Sequence, residues 1–400
     1  METQKFIFNS GAMVSALTIA TKVMSKNPVV PVLENYYLDV NNGRLTVTGT
    51  DLQTTMRVSF SVESKENFSC LIPPTVIKYL QKVIKEDGPA PITLCYDHES
   101  YSVELLLDDS RAKYSSENYS DFPNLPQTDI EMFETTSDLF KEFKDLIVYT
   151  STDELRPAMT GIAFLDHDKK LHLSATDGHR LKVVNVDSEA LTFVEPENDN
   201  TYFILAAKVA KVLSDFKFKK GNETRAGVVV KSGTDINNSK VVSFSFRYEC
   251  YDIELMTRAI DERFPDIWNV IPTDTIVKGK PVKWAQTKFT IDNKDKFLST
   301  IDRAMLFANA ATHQIRISLN GVNKISAEDL DFKNEFNQHI AGTYEGQPIE
   351  IGFNGKYFSE VVNSFSDKIT IEMQAPNRCA VIRQGNALAL VMPVMLNQYV

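Results

Sequence analysis

The sequence predicts an α+β chain made of three repeats of one domain, each with two helices packed on one side of antiparallel sheets. Three recurring units carry this reading, and they recur in the same order. The first is a strand ending in a Thr-Asp-like step: GRLTVTGTDLQTTM at 43–56, KLHLSATDGHRLKV at 170–183 and, more weakly, KISAEDLDF at 324–332, with Asp51, Asp177 and Asp329 equivalent. The second follows it, an apolar strand end running into a short helix, from Cys70 (CLIPPTVIKYLQKV), Tyr202 (YFILAAKVAKVLSDF) and Ile349 (IEIGFNGKYFSEVV). The third precedes it, a strand entering an amphipathic helix, from Lys5, Phe133 and Lys288. Agreement of order across three copies is far less common by chance than similarity of one unit.

The elements follow in order. Each copy should hold two helices and about eight short strands. Period-2 alternation marks strands at Leu45/Val47, Leu171/Leu173 and Val242/Phe244/Phe246/Tyr248. Closing segments read SDFPNLP at 120–126 and ERFPDIWNVIP at 262–272, whereas the last copy closes on ALALVMPVML at 387–396. Polar, Pro- and Thr-containing linkers near Gln127–Thr135 and Pro272–Pro281 set expected domains at 1–128, 129–274 and 275–400.

At 400 residues with 43% apolar and 24% charged residues, the chain can bury several cores. It has no apolar run of transmembrane length. Met1–Ser10 lacks the basic start and apolar core of a signal peptide, so a cytoplasmic location is expected. The cysteines, Cys70, Cys95, Cys250 and Cys379, show no CxxC spacing, which disfavours structural zinc. All four are read as buried free thiols.

With 43 Lys+Arg against 53 Asp+Glu, the net charge of −10 argues against a broad basic DNA-gripping surface. The placement of the lysines matters more. Lys78, Lys82 and Lys85 fall at i, i+4 and i+7 on the second helix of copy one, and Lys296, Thr300 and Arg303 repeat that spacing in copy three. Lys141 and Lys144, then Lys208 and Lys211, lie on the helices of copy two; Lys22 and Lys26 end the first helix, and Lys356 begins the last. For any one helix this is an ordinary solvated face, and Glu142, Asp145, Asp215 and Asp302 interrupt it. Arranged around an axis, however, the six helices would sum their cations into one field while the strands outside carried the acidic excess.

These residues resemble the bacterial DNA polymerase III beta subunit, the sliding-clamp (processivity-fold) family. The resemblance spans essentially the whole chain. It rests on Ala175-Thr176-Asp177-Gly178-His179-Arg180-Leu181, Arg263-Phe264-Pro265-Asp266, Gly352-Phe353-Asn354 and Val391-Met392-Pro393, with Pro31-Val32-Leu33 and Thr48-Gly49-Thr50-Asp51-Leu52 in copy one. It implies a head-to-tail homodimer closed into a ring around double-stranded DNA, without sequence readout. The helices would line the hole. The ring would tether the DNA polymerase III alpha subunit and other clamp-binding-motif proteins, and a clamp-loader complex would open it. Lys22, Lys26, Asn27, Lys78, Lys82, Lys85, Lys141, Lys144, Lys208, Lys211, Lys296, Arg303 and Lys356 would face the DNA. A ring that slides needs weak, mobile phosphate contacts, which lysine provides better than bidentate arginine.

The resemblance further implies a peptide-binding cleft of Arg156, Met159, Thr176, Gly178, His179, Arg180, Leu181, Pro265, Val270, Asn354, Tyr357, Leu390, Met392, Pro393 and Val394. Its apolar members would take Leu and Phe anchors, with methionine adapting to varied partners. His179 and Arg180 would offer polar contacts at the edge. Read without the family, Asp-Gly is a hairpin turn and Val391-Met392-Pro393 a final core strand.

The sequence departs from the family at Asn27 and Thr75, where a base is usual, and at Ala158, where an aromatic is frequent. It also carries Asn397-Gln398-Tyr399-Val400 beyond the usual end. The implied dimer interface pairs an edge strand near Tyr101–Lys113 with copy three, where Leu306 and Phe307 would be apolar anchors or, equally, domain core.

Catalysis is disfavoured. Asp177, His179 and Arg180 lack an accompanying nucleophile motif such as GxSxG. The chain has no phosphate-binding GxxxxGK[ST] loop and no HExxH. His167 and His172 have no third ligand at a plausible spacing. No metal or cofactor is expected. The alternative to a clamp is a non-DNA repeat scaffold that binds peptide motifs.

Overall fold

A computed structural model describes residues 4–108, 110–186, 200–218, 227–277, 280–366 and 368–396. Among these are six α-helices: α1 (Ser10–Thr21), α2 (Thr75–Asp87), α3 (Leu139–Leu146), α4 (Ala207–Ser214), α5 (Lys294–Met305) and α6 (Gly355–Asn363). They fall two to a copy, as the repeats predict. The C-terminal Asn397–Val400 segment lies outside the described residues.

Two compact units divide the chain. Of the described residues, those within Met1–Phe140 and Lys211–Asp261 form one, and those within Lys141–Asp187, Pro196–Ala210 and Glu262–Val400 the other. The division falls inside the central copy, and the sheets explain why. In the first unit an eight-stranded antiparallel sheet runs through strands 68–72, 36–41, 44–50, 54–61, 251–258, 240–248, 227–234 and 130–136. Strand 54–61 of copy one pairs with 251–258 of copy two, Met56 opposite Leu255. In the second unit a nine-stranded sheet runs 201–206, 161–167, 170–176, 180–186, 387–391, 380–384, 370–373, 287–291 and 342–346. Each sheet joins half of the central copy to a neighbouring copy.

Each unit also holds a four-stranded sheet. In the first its order is 4–9, 91–97, 102–107, 110–115, and in the second 334–339, 324–329, 314–319, 349–354. Alternation places one face of each strand in the core: Leu38 and Val40, Leu45 and Val47, Val58 and Phe60 are buried. Against these pack the apolar faces of the helices, Val76, Leu80 and Val83 on α2 and Phe297, Ile301 and Ala304 on α5. α1 differs from expectation. It carries no acidic residue in its first turn and no basic one in its last, and it buries Met13, Ala16, Leu17, Ile19 and Ala20. Its cations, Lys22 and Lys26, come after the helix ends.

The thiols are less uniform than expected. Cys70 and Cys379 are buried, but Cys95 is half-buried and Cys250 is exposed on the turn joining strands 240–248 and 251–258. That turn leaves the alternating pattern, so neighbouring apolar residues do not enclose it. No helix of the described residues is long and apolar enough to cross a membrane.

Candidate partner cleft and helix faces

The repeated Thr-Asp step is one hydrogen-bonded loop built more than once. Asp177 Oδ1 accepts from the amides of His179 (2.9 Å) and Arg180 (2.9 Å), while Thr176 Oγ1 donates to the Arg180 carbonyl at 2.7 Å. In copy one, Asp51 Oδ1 accepts from Gln53 (3.0 Å) and Thr54 (2.6 Å), and Thr50 Oγ1 donates to the Thr54 carbonyl at 3.0 Å. These short side chains satisfy backbone donors within the turn, which is why the residue types recur. Gly178 has φ +87°, and Leu52 holds the equivalent place at φ +71°. The turn therefore does not itself demand glycine. At 178 an added Cβ would stand 3.3 Å from Arg156 Nη1, so glycine keeps that side open.

Arg180 is not the edge contact that the sequence suggested. It is 6% exposed. Its Nε donates to Asp177 Oδ2 at 3.0 Å, one Nη to Glu360 and the other to the Val148 carbonyl at 2.6 Å. The guanidinium lies 4.6 Å from the Tyr357 ring centre and 5.5 Å from that of Tyr149. It is a strut that fixes the loop to α6, with a donor on each of its three nitrogens committed. The exposed polar groups are His179, which stacks on Tyr357 at 5.5 Å, and Arg156, whose Nε donates to Asp153 at 2.9 Å. That bond holds the Asp153 carboxyl below the usual range.

The final strand closes the same site. Arg180 and Leu181 pair with Val391 and Leu390, and the Met392 amide donates to the His179 carbonyl at 2.8 Å. The Val394 amide then donates to the Gly352 carbonyl at 2.8 Å. A Cβ at 352 would meet the Val394 carbonyl at 2.5 Å, so glycine permits this approach. Asn354 caps α6, accepting from the amides of Lys356 (3.1 Å) and Tyr357 (3.2 Å). Leu181 and Leu390 are interior; Met392 is 44% exposed and Pro393 and Val394 are half-buried. Thr176 is buried and Met159 is half-buried on the turn Pro157–Thr160, beside the half-buried Ala158.

Pro265 and Val270 stand on the 262–272 segment, which is anchored by buried Phe264 and Ile267. Trp268 stacks on His167 with ring centres 3.7 Å apart and meets His172 edge-on at 5.2 Å. The two histidines thus bind an indole, and burial lowers the pKa of His172. Among the described residues no cluster of His, Cys, Asp or Glu could hold a metal. Trp268 was legible only as a large apolar residue in the closing segment 262–272.

The cations placed on the helices are exposed: Lys22, Lys26, Lys78, Lys82, Lys85, Lys141, Lys144, Lys208, Lys211, Lys296, Arg303 and Lys356, with Asn27 beside Lys26. Lys22 is partly diverted, 3.9 Å from Asp215 and 4.9 Å from the Phe216 ring centre. Thr300 is a correction. It shares a stripe with Lys296 and Arg303 but is 3% exposed, because its short side chain bonds back to the Lys296 carbonyl at 2.8 Å.

The Tyr101–Lys113 span is a hairpin, not one strand, and the outer strand of its sheet is Ser110–Ser115. Leu306 is 78% exposed rather than core, and Phe307, at 37%, stacks on Phe336 at 5.6 Å.

Lys182 was missed. It lies on a strand whose pattern suggests core, and it is buried at 2% exposure. Nζ stands 3.5 Å from Asp145 and 3.3 Å from the Ser364 carbonyl at the end of α6. Burial, more than the nearby acids offset, lowers its pKa from 10.5. The unfolded chain therefore binds more protons between the two values, and stability rises with pH through that window. Lys182→Met is expected to stabilise the protein by about 1 kcal/mol at neutral pH. The advantage should shrink as pH approaches 10.5. Urea unfolding across pH checks this, and a Met variant that is less stable at neutral pH would refute it.

Repeated domains and sheets shared between neighbouring copies define a repeat-built, clamp-like protein. The chain belongs to the DNA polymerase III beta subunit family. Its N-terminal domain model matches residues 4–126, its central domain model 136–266 and its C-terminal domain model 283–396. The beta sliding clamp of Proteus mirabilis is 26% identical over 371 residues, covering 90% of each chain. That of Haemophilus influenzae is 25% identical over 348 residues, 86% of this chain and 85% of its own. Among solved structures, the DNA polymerase sliding clamp of Bacillus subtilis superposes with a TM-score of 0.80 at 19% identity, over 99% of this chain and 100% of that one. The sliding clamp of Bartonella birtlesii bound to griselimycin gives 0.79 at 24% identity, over 99% and 100%.

Proposed function

We propose that this chain is a DNA sliding clamp that acts as a head-to-tail homodimeric ring of three-domain subunits, with domains 1–128, 129–274 and 275–400. The ring encircles duplex DNA and tethers the DNA polymerase III alpha subunit and other clamp-binding-motif proteins, and a loader opens it. The chain is the non-catalytic member of that assembly and works in the cytoplasm. Membership of the family across all three domains is the observation that carries this reading.

The exposed helix cations supply phosphate contacts without base readout, as sliding requires. Peptides seat between Met159, Gly178, His179, Pro265, Val270, Met392, Pro393 and Val394, with Asn354, Tyr357 and Arg156 on the rim. Thr176, Arg180, Leu181 and Leu390 form the frame. The bound griselimycin of the Bartonella relative supports a ligand-accepting surface in this family.

Topology tests the ring. Loaded on nicked circular plasmid, the protein should survive a salt rise that strips phosphate contacts, and should be lost once the plasmid is linearised. Equal loss from circle and linear DNA would reject the ring and favour the peptide scaffold.

A further inference from the structure

Between α5 and strand 334–339 lies a cavity of about 320 Å³ lined by Asn293, Lys296, Phe297, Thr300, Arg303, Gln338, His339, Ile340 and Ala341. Its chemistry is one-sided. Among the described residues the lining holds no carboxylate, and neither Lys296 nor Arg303 makes an ion pair. Asp292, Asp295 and Asp302 are exposed on or beside α5 but are absent from the lining. Phe297 is buried and gives the cavity an apolar floor.

The polar groups are pre-arranged as donors. Thr300 spends its hydroxyl proton on the Lys296 carbonyl at 2.8 Å. Its oxygen then accepts from Gln338 Nε2 at 3.2 Å and Arg303 Nη2 at 3.4 Å. Arg303 Nε is tied to the Ser299 carbonyl at 3.2 Å. Asn293 Oδ1 accepts from the Lys296 amide at 2.8 Å, which leaves its NH₂ as the remaining polar group. Lys294, two residues earlier, is committed elsewhere, to the Asn363 and Phe365 carbonyls. What remains is an ammonium, a braced guanidinium and amide N–H groups around one space. Such a space calls for an anion that only accepts hydrogen bonds.

We propose that this cavity seats a single phosphodiester of the DNA backbone. The inference rests on the reading that α5 faces DNA. It adds one positioned contact to a surface otherwise made of mobile lysines. A braced arginine orients a phosphate where a free lysine only attracts it, and a contact to a single phosphate stays weak enough to exchange as the ring slides.

The test measures binding of a short fluorescent duplex by anisotropy as salt is varied, with Lys296→Gln, Arg303→Gln, the double variant and Thr300→Val. Removing the neutralisation of one phosphate lowers the steepness of log K against log salt by about 0.9. One shared seat predicts little change of steepness for either Gln variant, because the other cation still neutralises the phosphate, and a fall of about 0.9 for the double variant, with binding weakened in all three. Thr300→Val should weaken binding several-fold with no change of charge. A double variant whose steepness falls by about 1.8, as two independent phosphates require, would overturn the seat. So would a Thr300→Val protein that binds as the parent does. Inorganic phosphate serves as a second probe. If it shifts the Thr300 amide resonance at millimolar concentration and the duplex does not, the ligand is free phosphate and the assignment to DNA fails. Retention on circular plasmid is scored separately, so failure of the seat leaves the ring reading standing. Absence of retention for the parent protein identifies failure of that reading.

Discussion

Leu306→Lys with Phe307→Lys is expected to convert the proposed homodimer into folded monomers. Leu306 caps α5 and is 78% exposed, and Phe307 beside it stacks on Phe336 of strand 334–339. That strand is the open edge of its sheet, and Ser110–Ser115 is the open edge of the matching sheet in the first unit. Leu330 and Phe332, at the turn before strand 334–339, are 55% and 76% exposed. Large apolar side chains gathered beside an unpaired edge mark a surface that another chain covers. Burying an ammonium there without a partner costs several kcal/mol. About 3 kcal/mol already weakens association on the order of a hundredfold. Folding should be little affected. Lysine at a helix C-terminus complements the macrodipole, and the Phe307–Phe336 stack given up is worth about 1 kcal/mol. Sedimentation velocity should show half the parent mass with an unchanged far-UV spectrum. A dimer of unchanged mass would reject this interface.

Much of this fold was legible because the repeat is carried by residues with strict local duties. Asp51 and Asp177 accept backbone amides in the same turn, so their spacing in sequence marks the same point in space. Alternation then gave the strands, and helical spacing placed Lys78, Lys82 and Lys85 on an exposed face. Two kinds of fact were not legible. Sheet continuity was one: nothing local says that Met56 pairs with Leu255, or that the central copy is shared between two sheets. Side-chain commitment was the other. Arg180 read as a polar contact at an edge and Lys182 drew no reading, yet both are buried. Their partners, Glu360 and Ser364, lie about 180 residues away in sequence. Thr300 failed in the opposite sense. Its spacing matched an exposed stripe, but a short hydroxyl turns back to its own helix where a long lysine reaches solvent.

The proposed cleft depends on that buried commitment, and Arg180→Ala is expected to expose it. One guanidinium holds Asp177 in the loop, Glu360 on α6 and the Val148 carbonyl, between the rings of Tyr149 and Tyr357. Removing it leaves the Val148 carbonyl without that donor and Asp177, 8% exposed, without its counter-ion. Breaking a buried pair from one side typically costs about 3–5 kcal/mol. Glu360 can turn to water, since a third of its side chain is accessible, so the low end, about 3 kcal/mol, is expected. Tyr357 would lose the cation beneath it and with it the fixed stack against His179 that forms one wall. Affinity for a short peptide with Leu and Phe anchors should therefore fall at least about tenfold, with urea stability falling in parallel. Arg180→Lys restores the charge but not the fork, and should recover only part of each. The two readouts together separate a strut from an edge contact. An edge contact would lose affinity at unchanged stability, and that outcome would return Arg180 to the role its sequence position first suggested.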